Sequence, residues 1–160
     1  MKKLCLLCLF ALPLWAVVPD GSVPAGFQQW NAASFEELHR AMAPKAAADP
    51  HHVGLQKIAD YPHEAVIEVY RLGDGAPELH ETEVDIFFVQ SGSGVLVVGG
   101  TLTGAETVAP HELRNGSISG GIRRKLSAGD VVRIPSNTPH QVLLDGAKDI
   151  TYIVVKAKGY

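Results

Sequence analysis

From residue 64 onward the sequence is a succession of short apolar runs cut by turn residues. EAVIEVYRL (64–72) alternates in polarity and meets GDGAP, and VDIFFVQ (84–90) leads into SGSG, with VLVVGG (95–100) next. VVRI (131–134) leads into PSNTP, HQVLL (140–144) runs into DGAKD, and ITYIVVK (150–156) comes near the end. A strand turns successive side chains to opposite faces, so alternation marks a strand with one face buried. Several such runs, closely spaced by Gly, Pro, Asn and Asp, specify an all-β sandwich or barrel. At 160 residues the chain fits one domain large enough to bury a core.

Upstream of residue 64 the pattern differs. Residues 17 to 33 are rich in Pro, Gly and Asn and read as an irregular lead-in. SFEELHRAM (34–42) predicts a short helix: Ser34 caps it, Glu37 completes a capping box, Phe35, Leu38 and Met42 form an apolar stripe, and Pro44 ends it. His39 on that helix reads as a surface residue. Residues 100–127 carry little strand pattern and much glycine, and read as a long surface loop between two hairpins.

The first residues have the layout of an export signal. MKK gives a positive start, LCLLCLFALPLWA an apolar stretch too short for a comfortable membrane span, and VVPDG a polar exit. Cleavage is expected after Ala16, although Leu14 is bulky for its place, and an uncleaved anchor is the alternative. Lipid attachment at Cys8 is disfavoured by Leu7. The resulting layout is a signal at 1–16, an N-terminal extension with one short helix at 17–63, and a β-barrel at 64–160, in a periplasmic or secreted protein. Cys5 and Cys8, the two cysteines, fall inside the signal, so the mature chain would hold no disulfide and their CxxC spacing carries no chemistry. Net charge is −3 with no long block of one sign, which gives no reason to expect nucleic acid or an anionic membrane as partner.

Two segments together resemble the cupin superfamily of small β-barrels, the double-stranded β-helix or jelly roll. GDVVRIPSNTPHQ (129–141) is similar to the family's second motif: a Gly-Asp turn, a strand, a proline loop and a histidine, here His140. ELHETEVDIFFVQSG (78–92) is similar to the first, with two departures: Glu78 stands where the first histidine of a His-x-His pair is usual, and Asp85 where glutamate is usual. The resemblance covers roughly residues 64–156 and implies a divalent metal in the barrel, held by His80, Asp85 and His140, with Glu78 either a fourth ligand or a general base.

Strand parity supports convergence. Glu78 and His80 point the same way, Asp85 shares a face with Phe87 and Val89, and His140 shares one with Val142 and Leu144. In a barrel these inward residues line one cavity. Imidazole with carboxylate suits a first-row divalent ion: iron or manganese is favoured, and zinc or nickel remains open. Arg71 and Arg133, charges embedded in strand patterns, are candidate anion partners. Glu81, Glu83, His51 and His52 read as solvated, although Glu83 shares Asp85's parity and could substitute for it. His63 reads as a strand start, and His111 as a chance loop residue rather than a cap on the pocket. Two functions fit: a metalloenzyme of dioxygenase, decarboxylase or isomerase type acting on a small molecule, or a barrel that binds a sugar or organic acid without turnover. By analogy with the family, a homodimer is also expected.

Overall fold

The computed structural model describes residue 21 and residues 23–159; the expected export signal lies outside them. The chain divides into two units, residues 1–30 and 31–160. In the first unit the described residues hold a turn in which the Phe27 amide donates to the Pro24 carbonyl at 3.0 Å.

The second unit opens with helix α1 (Ala32–Ala48), longer at both ends than expected. Asn31, not Ser34, is its cap: the Asn31 side chain accepts from the Ser34 amide at 3.0 Å. Pro44 lies inside the helix rather than ending it. The alanines that follow favour helix, and Ala46 is buried with Met42 against Tyr70, so packing outweighs the lost backbone bond.

Twelve strands follow: β1 (Val53–Asp60), β2 (Glu64–Arg71), β3 (Glu78–His80), β4 (Glu83–Val98), β5 (Thr101–Thr103), β6 (Glu106–Ala109), β7 (Glu112–Arg114), β8 (Ser117–Ser119), β9 (Ile122–Ser127), β10 (Val131–Ile134), β11 (His140–Leu143) and β12 (Ile150–Lys158). All pairings among them are antiparallel. The first half of β4 completes one layer, ordered β1-β2-β12-β4-β10. Its second half joins the other layer, β9-β4-β11-β3-β7-β6. The result is the all-β, curled antiparallel architecture of a double-stranded β-helix with one short N-terminal helix.

SGSG, read as a turn, is instead the bend at which β4 passes from one layer to the other. Gly92 has φ +72°, and a Cβ there would sit 2.2 Å from the Asp149 carbonyl oxygen, so only glycine permits this crossing. Residues 100–127 are likewise not a loop but five short strands. The sheet begins at Val53 rather than residue 64, because β1 pairs along β2. Gly54 makes room for this arrangement: a Cβ there would meet the Met42 carbonyl oxygen at 2.9 Å. The core lies between the two layers and is built from alternate residues, among them Phe87 and Val89 of β4, Val142 of β11, and Tyr152 and Val154 of β12.

Candidate metal centre

β3 is three residues long, yet it places two polar side chains on the inner face. Glu78 and His80 are 9% and 2% exposed, as period-two alternation requires. His140 opens β11 directly opposite Glu78 and is 1% exposed. Asp85, on the first half of β4, reaches the same point from the other layer and is 3% exposed. All four sequence-predicted residues therefore meet. Asp85 Oδ2 lies 3.2 Å from His80 Nε2 and 3.5 Å from His140 Nε2. Glu78 Oε1 lies 3.4 Å from His140 Nε2, and Glu78 Oε2 lies 3.8 Å from His80 Nε2.

The outer nitrogens of both imidazoles are already committed. His140 Nδ1 is 3.0 Å from the Thr138 carbonyl, which only accepts, so Nδ1 carries the hydrogen. His80 Nδ1 lies 2.7 Å from Glu112 Oε2 and donates to that carboxylate. In the neutral tautomers this leaves a lone pair on each Nε2, and both Nε2 atoms are buried without an aligned hydrogen-bond partner. Two orphaned imidazole nitrogens beside carboxylate oxygens are what a cation would satisfy. Donors around a first-row ion at ~2.1 Å stand roughly 3.0–3.4 Å apart, close to the separations here. Glu78, His80 and His140 each offer one donor atom within 4.8 Å of the others, so the group is able to hold a metal ion.

Sequence reasoning missed three charged neighbours. β7 pairs with β3 so that Arg114 faces Glu78 and Glu112 faces His80. Arg114 Nη1 donates to Glu78 Oε2, and its Nη2 lies 3.4 Å from Glu112. Lys156, on β12, donates to Asp85 Oδ1 at 2.8 Å and lies 3.1 Å from Glu83. Glu78 and Asp85 thus each have one oxygen tied to a cation and the other turned to an imidazole. The one available signal was parity, since Glu112 and Arg114 share a face in E-L-R. Arg133 is exposed and stands outside the site, whereas Arg71 lines it. His111 pairs with Glu81 at 2.8 Å on the surface.

The charge states follow from these contacts. Burial works against the charge of His140, but Asp85 and Glu78 outweigh it and lift the imidazole to about 9. His80 is also raised: burial opposes its charge, and Asp85 and Glu112 override it. Burial pushes the Asp85 carboxyl up, yet His140, His80 and Lys156 hold it well below the usual carboxylate range. Glu78, likewise opposed by burial, is held down to about 2 by His140 and Arg114. The surrounding carboxylates make each Nε2 attractive to a cation, whether a proton or a metal ion.

Beside the cluster lies a cavity of about 110 Å3, walled by Ile67, Val69, Phe87 and Val154 and studded with Arg71, Arg114 and Lys156. Arg71 donates through Nε to the Tyr152 hydroxyl at 2.8 Å, and no described carboxylate lies within ion-pair distance of it.

The family described as "Cupin domain" matches residues 66–156, more than half of the chain. The chain belongs to the cupin superfamily. No curated protein matches it. Among solved structures, this cupin is similar to a conserved protein with a double-stranded β-helix domain from Klebsiella pneumoniae, at 18% identity over 67% of this chain and 77% of that one, with TM-score 0.50. A protein from Thermus thermophilus matches at 17% identity over 69% of this chain and 87% of that one, TM-score 0.50. An oxalate oxidase in complex with glycolate matches at 17% identity, over 69% of this chain and 53% of that one, TM-score 0.50. At such identities the likeness concerns the fold.

Proposed function

We propose that this cupin is an exported metalloenzyme acting on a small, oxygen-rich organic anion at a divalent ion held by His80, His140, Asp85 and Glu78. The observation that carries the reading is the pair of buried Nε2 atoms, which face carboxylate oxygens without an aligned hydrogen bond while both Nδ1 atoms are fixed. With imidazole and carboxylate donors and no thiolate, iron or manganese is favoured over zinc or nickel. When bound, such an ion polarises a substrate oxygen as a Lewis acid.

The chain's own residues explain the substrate class. Arg71 presents a guanidinium with no ion-pair partner among the described residues to the cavity, oriented by the Tyr152 hydroxyl, and would take a carboxylate. Arg114 is anchored on Glu78 and Glu112, and Lys156 on Asp85 and Glu83, so both hold ligand carboxylates in place. The cavity is below the ~300–1,000 Å3 of sites for drug-sized ligands, which suits a molecule of few heavy atoms. Glycolate, bound by the oxalate oxidase above, is of that size and charge. Glu78 fits the ligand set better than the role of base, because Oε2 is committed to Arg114 while Oε1 faces His140. Export rests on the apolar segment that follows MKK.

The test is elemental mass spectrometry on protein purified without chelators from a host that expresses the full chain. Near-stoichiometric iron, manganese, nickel or zinc is expected, with loss of the metal in His140→Ala and Asp85→Ala. The intact mass of the same sample should correspond to a chain starting at Val17. Protein that stays empty after reconstitution would leave a barrel that binds an organic acid or sugar without turnover.

A further inference from the structure

The opposite face of the β2-β12-β4 layer carries a second, larger cavity of about 450 Å3, roofed by α1. Strand alternation separates the two sites. Val69 and Arg71 of β2 and Tyr152 of β12 face the metal centre, whereas Glu68 and Thr151, their chain neighbours, face this cavity. Phe35, Glu36 and His39 close it from the helix side, and Gln90 contributes from β4.

Glu68 is the unexplained group. It is 1% exposed, and its Oε2 is buried with no hydrogen-bond partner. Among the described residues no cation lies within ion-pair distance of it. Two polar neighbours are already engaged: His39 Nδ1 is 3.3 Å from the Thr151 hydroxyl, and the His39 ring stands edge-on to Tyr70 with centroids 4.5 Å apart. Arg40, the guanidinium on this wall, is exposed and turned back through Nε onto the Glu36 carbonyl at 3.3 Å. A carboxyl buried without a partner costs stability, and its retention calls for a partner that arrives from outside.

We propose that this cavity binds a small primary amine with an apolar body, its ammonium group donating to Glu68. The two carboxylates here, Glu68 deep and Glu36 at the rim, outnumber the single guanidinium, so the cavity favours a cation over an anion. The Phe35 ring provides an apolar wall and a cation–π face for the same group. The volume falls within the range that takes whole small molecules. The site is independent of the metal centre, since the sheet stands between them.

The experiment is a two-dimensional amide NMR titration with phenethylamine and, as a neutral isostere, 2-phenylethanol. The amine is expected to shift the amides of Glu68, Gln90 and Thr151, and the alcohol to bind far more weakly. Glu68→Gln should weaken the amine by roughly tenfold to a hundredfold, the range for a lost hydrogen bond to a charged group. Glu112→Gln, at the metal centre, should bind the amine as the unaltered chain does. The comparison of amine with alcohol needs no variant and so decides the matter even if Glu68→Gln fails to fold. Equal binding of the alcohol, no shift with the amine, or shifts confined to the surroundings of His80 and His140 would overturn the proposal.

Discussion

Glu112 touches His80 on the side away from the other imidazole, so its effect on a metal must pass through that ring. Glu112→Gln keeps the side chain's shape but removes the charge that holds Nδ1–H and makes Nε2 more basic. Metal affinity is expected to fall about 10- to 100-fold, read by competition against a chelator of known strength, while His140→Ala abolishes binding. Unchanged affinity would reduce Glu112 to a surface carboxylate. Glu68 yields a prediction of opposite character. Burial raises its carboxyl from 4.5 to about 7, so the folded state holds this proton more tightly than the unfolded chain. Its contribution to stability is fully present below about 4.5 and is lost as pH rises through about 7. Urea unfolding at a series of pH values should show this decline relative to Glu68→Gln; parallel curves would refute it. Glu78, His80, Asp85 and His140 were legible in the sequence because motif order and parity fix their faces. Glu112, Arg114 and Lys156 were not, because strand pairing chooses their partners, and no local pattern encodes that β7 lies against β3.

Elements were legible where one alternating run made one strand, and obscure where the backbone carried the information. The bend of β4 is such a case: four small residues look like a turn, yet the chain continues extended on either side of Gly92. Gly92→Ala would need φ +72° and place a methyl against the Asp149 carbonyl, at a cost of at least about 2 kcal/mol. The urea midpoint should fall accordingly with the slope unchanged; a variant as stable as the parent would show that the crossing tolerates a side chain. The strands between residues 101 and 127 escaped notice for a related reason. They are three to six residues long, mostly exposed, and separated by left-handed positions such as Gly104, His111, Asn115 and Gly116. With little surface to bury they show no apolar period, and backbone pairing makes them strands: β7 with β3, β9 with β4, β6 with β7, and β5 with β8. β1 was hidden because Gly54, which admits the helix, interrupts its alternation.

At the scale of the molecule, the four convergent donors come from both layers of the barrel. Asp85 belongs to the layer of β2 and β12, and Glu78, His80 and His140 to the layer of β3 and β11. An ion on all four would clip the layers together, and the unfolded chain, in which residues 78 and 140 are not held near each other, could not offer the same set. Binding to the folded state alone adds about 2.7 kcal/mol when free ion stands a hundredfold above its dissociation constant. For a chain of this length each kcal/mol is worth roughly 2–4 °C in Tm. Adding the matching ion to stripped protein should therefore raise Tm by about 5–10 °C, and chelator should reverse it. His140→Ala and Asp85→Ala should show no such rise, since one removes a donor from each layer. A loaded protein that melts where the stripped one does would mean that the unfolded chain holds the ion as well as the folded one, and that the four donors are not a set made by joining the layers.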